Sequence, residues 1–167
     1  MLNKIFALAS CVTLLTLTAL VYAADSAGVP APVQAVMTPY VQIHDALAKD
    51  SMDGVSAAAA ALGKAARNDK MFPSELNQEA QTLAQAKDLE TARAAFKPLS
   101  ETLIKVLGDN RGAYVEVYCP MVKGHWLQTG TTVSNPFGAS MATCGSIVSG
   151  KADPAATAPY IRGGCCK

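Results

Sequence analysis

The chain has 167 residues, half of them hydrophobic, with 14 Lys and Arg against 13 Asp and Glu, for a formal net charge of +1. Nothing in that balance suggests nucleic acid or an anionic membrane surface as a partner. The length suits one domain that buries roughly two-thirds of its unfolded surface.

The amino terminus reads as a targeting segment rather than part of the fold. One positive residue, Lys4, precedes an uninterrupted apolar run, and Val21-Tyr22-Ala23 supplies a cleavage-type end before Ala24 and Asp25. A signal peptide over 1–23 predicts a periplasmic or secreted protein with no stable membrane insertion after cleavage. An uncleaved membrane helix is the alternative for that run. A lipobox-like stretch ending at Cys11 lies too near Lys4, with too much apolar chain after it, to favour lipidation. Residues 24–32 follow as a flexible lead-in.

From Val33 to Gly108 the chain is rich in Ala, Leu, Lys, Gln and Glu, all good helix formers. Val33, Val36, Met37, Tyr40, His44 and Leu47 fall at helical spacing and predict a first helix. Asp50 or Ser51 is placed to cap a second, over about 52–66, with Val55, Ala58, Leu62 and Ala65 on one side. Ser74 is expected to cap a third, with Glu75 in its first turn and Leu76, Ala80, Leu83 and Ala84 inside. Asp88 is expected to cap a fourth, carrying Leu89, Ala92, Phe96, Leu99, Leu103 and Leu107, kinked by Pro98 and stopped by Gly108. Short links between four such helices predict an all-α, up-down four-helix bundle.

Beyond Gly108 the pattern changes. "AYVEVYC" alternates and is β-prone, but Pro and Gly then recur too often for long elements. This stretch predicts an irregular, cysteine-containing cap on the bundle, ending near residue 146, with 147–167 as a flexible tail.

The cap carries the chemistry. Cys119, Met121 and His125 are followed by Met141 and Cys144, across a turn at Asn135-Pro136-Phe137-Gly138. Thiolate, thioether and imidazole suit Cu(I), or Zn(II) without the thioethers. Without Cys11, four cysteines remain, Cys119, Cys144, Cys165 and Cys166, which allow three pairings. From spacing alone a disulfide leads a metal site in an exported chain, and Met121 and Met141 then serve as packing against aromatic rings. His44 on the first helix reads as a buried, hydrogen-bonded histidine or as a ligand beneath the cap. His125 is either a loop histidine or a further ligand. Cys165 and Cys166 form an accessory soft-metal pair in the tail. No C-x-x-C pair, phosphate loop, zincin motif or Ser-His-Asp pattern is present, so an enzyme is not expected.

Tyr118-Cys119-Pro120-Met121, Trp126-Leu127, Asn135-Pro136-Phe137-Gly138, Met141 and Cys144-Gly145 together resemble the DUF3347 family of exported bacterial proteins. Upstream, the segment from Tyr40 to Asp50 and Phe96-Lys97-Pro98-Leu99-Ser100 are similar to the same family, so the likeness runs over roughly 35–146. The resemblance implies a helical bundle in the bacterial envelope and an association with heavy-metal efflux adaptors of the copper and silver type. It carries a soft-metal role, with copper as the expected ion, onto Cys119, Met121, Met141 and Cys144. The partner it implies is an efflux component or a metallochaperone. Val122 stands where the family usually has alanine, and a single aromatic, Phe137, separates Pro136 from Gly138. The rival expectation is a disulfide-stapled adaptor without metal, in which Cys119–Cys144 closes the cap.

Overall fold

The computed structural model describes residues 29–149. The expected signal peptide, most of the lead-in, and Cys165 and Cys166 lie outside them. Among the described residues four helices come first: α1 (Ala31–Ala48), α2 (Val55–Arg67), α3 (Ser74–Ala84) and α4 (Leu89–Leu107). Each packs on the next, and α4 touches α1 more lightly. No helix among the described residues is long and apolar enough to cross a membrane.

The apolar stripes read from the sequence face inward. Val33, Val36, Met37, Tyr40 and Leu47 of α1 are buried, as are Val55, Ala58 and Leu62 of α2, Leu76, Ala80 and Leu83 of α3, and Ala92, Phe96, Leu99, Leu103 and Leu107 of α4. Gly63 lets α2 approach α3 closely. A Cβ there would sit 3.1 Å from the Asn77 side chain and 3.3 Å from that of Ala80.

The helix starts differ in part from expectation. Asp88 caps α4 in a reciprocal box: its carboxylate accepts from the Thr91 amide at 2.8 Å, and the Thr91 hydroxyl faces back to the Asp88 amide. Ser74 is instead the first residue of α3, following Pro73, and makes no side-chain cap. Neither Asp50 nor Ser51 caps α2. Gly54, in the left-handed region at φ 74°, precedes it, and the Ser51 hydroxyl accepts from the Asp53 amide.

The all-α expectation is overturned by the chain beyond α4. β1 (Val115–Cys119), β2 (Gly124–Gln128) and β3 (Ser146–Ser149) form an antiparallel sheet in the order β2-β1-β3. The described chain is therefore a four-helix domain with a small sheet. The physical reason is brevity. Strands of four or five residues show barely two repeats of in-out alternation, and Pro120, Gly130, Pro136 and Gly138 lie in the connections between them. The fold also runs past residue 146, because β3 pairs with β1 through Ser149.

A run of aromatic rings joins helices to sheet. Tyr40 stacks on Phe96 at 5.2 Å between centroids, Phe96 lies 6.1 Å from Phe137, and Phe137 meets Trp126 edge-on at 5.9 Å. The buried Tyr40 hydroxyl pairs with the Ser100 hydroxyl at 2.8 Å and accepts from the Leu127 amide at 3.0 Å. One side chain thus ties α1, α4 and β2 together.

Candidate functional site

Pairing across β1 and β2 sets which cap residues can meet. Val117 lies opposite Trp126, Tyr118 opposite His125, and Cys119 opposite Gly124. Directly opposed residues share a face and successive ones alternate. Val115, Val117, Cys119 and Trp126 therefore point to one face, and Glu116, Tyr118 and His125 to the other.

The inner face is covered by the segment that returns from Val133 to Gly145, and Asn135 holds that segment in place. Its side-chain amide donates to the Cys144 carbonyl at 2.8 Å, its side-chain oxygen accepts from the Phe137 amide at 2.8 Å, and its own amide donates to Ala142 at 2.9 Å. The turn is seated from the helices as well. Arg93 of α4 donates to the carbonyls of Pro136 at 2.9 Å and Leu47 at 2.8 Å, and pairs with the Asp50 carboxylate. Gly145 is backed onto the sheet. A Cβ there would lie 2.8 Å from Val117 and 2.9 Å from Trp126, and its φ of 153° also disfavours any other residue.

These contacts bring Cys144 to Cys119, the two sulfurs lying 2.8 Å apart. Cys119 is fully buried and Cys144 nearly so. Cys119 keeps a free thiol, whereas Cys144 is a disulfide cysteine. The expected convergence of the two cysteines is present, but the expected bond between them is not.

The remaining candidates are placed elsewhere. Met121 sits on the β1–β2 turn with 62% of its surface exposed. Met141, in a short 3-10 turn over Ala139–Met141, is half-buried against the core. His125 is on the opposite sheet face from Cys119. Its Nδ1 pairs with Glu116 at 2.7 Å, and its ring lies 4.6 Å from that of Tyr118. His44 is buried, and its Nε2 faces the Ser134 carbonyl at 2.9 Å. A carbonyl only accepts, so Nε2 carries the proton and has no lone pair for a metal. Nδ1 is taken by Asp45 at 2.9 Å. His44 is thus a seat for the returning loop.

Among the described residues no group of three or more His, Cys, Asp or Glu side chains is placed to hold a metal ion. Two thiolates about 2.3 Å from a tetrahedral ion stand about 3.8 Å apart. The cysteine sulfurs would have to separate by about 1 Å to take one, yet need approach by only about 0.75 Å to bond to each other.

Sequence reasoning had no signal for Arg93, one charged residue among several on an amphipathic helix. Asn135 was visible as a turn residue, but not as the group that fixes Cys144. The outer-face cluster was equally hidden. Arg111 pairs with Glu116 at 2.8 Å and donates to the Ser149 hydroxyl, which donates to Glu116 at 2.7 Å. These residues are scattered over the sequence and meet only through the sheet.

A four-helix domain whose fourth helix carries a small sulfur-containing sheet is the class this fold defines. Residues 36–112 match the model of DUF3347, a family described as proteins of unknown function. The match covers all but the first residues of α1, the other three helices and the start of the connection to β1, and stops before Cys119. No curated protein and no solved structure matches the chain.

Proposed function

We propose that this chain is a non-catalytic, disulfide-stapled interaction module of the bacterial envelope, in which the DUF3347 helices present a cap held by cysteine chemistry. The observation that supports it is the sulfur geometry. Cys144 is in a disulfide, and its sulfur sits 2.8 Å from the buried Cys119 thiol, a spacing nearer to a sulfur–sulfur bond than to a metal bridge. Were these two sulfurs to bond, the cross-link over the 25 residues that separate them would be worth about 3 kcal/mol. That is large for a cap with so few strand residues. An envelope location agrees with the expected signal peptide and with lasting disulfides. The partner this reading implies is a component of an envelope efflux system.

One observation favours a second reading, soft-metal handling with copper as the ion. The exposed Met121 thioether lies two residues after Cys119, and Met141 three before Cys144. Four soft donors are thus carried by two short stretches that touch at the sulfurs. Reduction of Cys144 and an opening of the pair would be needed before a Cu(I) ion could enter.

One pair of measurements separates the two. Reduced wild type and the Cys119→Ser, Cys144→Ser double variant are titrated with Cu(I) against a competing chelator, and both proteins are melted with and without reductant. The module reading expects equal, weak copper binding and a melting temperature that reductant lowers only in wild type. Wild type binding at least tenfold tighter than the double variant puts copper handling in its place.

A further inference from the structure

We propose that Glu79 makes the seam between α3 and α4 a pH-sensitive joint, looser when its carboxylate is charged and tighter when mild acid neutralises it. The joint lies in the helical domain and rests on none of the cap's cysteines, so it goes beyond the module reading.

The geometry provides for only one of the two carboxylate oxygens. Glu79 is on α3, beside the buried Ala80. Its Oε1 accepts from the buried Thr102 hydroxyl of α4 at 3.0 Å. Its Oε2 is buried as well and has no hydrogen-bond partner among the described residues. A carboxylate spreads its charge over both oxygens, so holding one of them away from water without a donor penalises the charged form. A neutral carboxyl still accepts from Thr102 and has no charge to bury.

The surrounding charges do not supply the missing partner. Glu75 stands one turn earlier on α3, and Glu101 and Lys105 act on the group from α4. None of the charges acting on it comes from α2, which also packs on α3. Lys105, the cation of this set, is itself exposed.

These influences have a definite sign. Burial is the largest and raises the Glu79 carboxyl. The Thr102 hydrogen bond lowers it, Glu75 raises it, Lys105 lowers it and Glu101 raises it, which leaves it above its ordinary value of 4.5. A carboxyl raised in the folded state adds stability that is fully present below its unfolded value and is lost as pH rises through the folded one. The seam therefore gains as pH falls from neutral toward 4.5. Glu116 of the cap is lowered and has the opposite sign, so its contribution begins to fall only below that point.

The test uses the full chain. Carbon-13 NMR of the side-chain carboxyls follows Glu79 through an acid titration of the wild type. Far-ultraviolet circular dichroism follows thermal melting of the helices in wild type and Glu79→Gln at pH 7, 6, 5 and 4.5. The glutamine keeps the shape and an acceptor for Thr102 but carries no charge. The Glu79 midpoint should lie above 4.5, and it should move down in Glu101→Gln, which removes a like charge from α4. Wild type should gain melting temperature relative to Glu79→Gln at each step toward acid. A wild-type midpoint at or below 4.5 overturns the proposal, and so does a gap between the two proteins that stays constant from pH 7 to pH 4.5. The NMR titration is read on the wild type, so it decides the matter even where a variant fails to fold.

Discussion

The helical domain and the sheet that caps it are held by different physics. Between α1 and α4 the buried residues are almost all apolar, and the helices supply their own backbone hydrogen bonds. The cap has too few residues for a core of its own. It leans on the helices through Phe96, Phe137 and Trp126, and it is seated by polar contacts from His44 and Arg93 to the backbone of Ser134 and Pro136. Apolar burial tolerates small shifts, whereas a hydrogen bond to one carbonyl does not. The helices can thus form on pattern alone, while the cap depends on particular partners. The protein has a single tryptophan, Trp126, which sits in the cap, so its fluorescence reports the cap and far-ultraviolet circular dichroism reports the helices.

The largest test of this division is Phe96→Ala. Phe96 is fully buried and touches both Tyr40 of the helices and Phe137 of the cap. A loss of about 3–5 kcal/mol is expected, with fluorescence and dichroism melting together at a lower temperature. Separate transitions would show that the two regions are less coupled than the aromatic run implies. Tyr40→Phe is sharper, since it removes only a hydroxyl. The buried Leu127 amide and Ser100 hydroxyl lose their partner, at a cost of about 1–3 kcal/mol in chemical denaturation. Burial outweighs the Ser100 and Leu127 contacts and pushes the Tyr40 hydroxyl well above its ordinary value, so it acts as a neutral partner throughout.

Asp88→Ala probes the start of α4. It removes the cap of α4 and should cost about 1 kcal/mol, with amide exchange rising first in the opening turn of α4. Trp126 fluorescence should follow to lower denaturant, because Arg93 in the second turn of α4 holds the Pro136 carbonyl of the cap.

The smallest effect is acid sensitivity of the cap. Burial raises the Glu116 carboxyl, but hydrogen bonds from Arg111, Ser149 and His125 together hold it below its ordinary value of 4.5. A carboxyl lowered in the folded state adds stability that is present above its unfolded value and is lost as pH falls through the folded one. Asp45 is lowered chiefly by its hydrogen bond with His44, and Asp50 by that with Arg93, both at the seam between the regions. Acid titration should therefore change Trp126 fluorescence below about pH 4.5 before it changes the helical signal. Coincident changes would refute a separately held cap.

Much of the helical domain was legible because helix formation is local. Periodicity put most of the inward residues in place, though Ala65, Ala84 and Leu89 are only partly buried and the buried Ile43, Ala59 and Ala66 fell outside the expected stripes, and Asp88 announced its own cap. Ser74 was off by one position because Pro73 alone begins α3 without a side-chain cap. In the site, the meeting of Cys119 and Cys144 could be expected from the turn between them. His125 could not be assigned, because its face depends on strand alternation within β2, a strand that five residues are too few to declare. The sequence by itself determined the helices and the cysteines, since 3.6-residue spacing and residue chemistry are carried by neighbours along the chain. Only the tertiary structure decided the sheet, the outward placing of Met121 and His125, the work of Arg93 and Asn135, and the 2.8 Å contact between sulfurs. Each of these depends on residues far apart in sequence whose positions are fixed only when the sheet packs on α4.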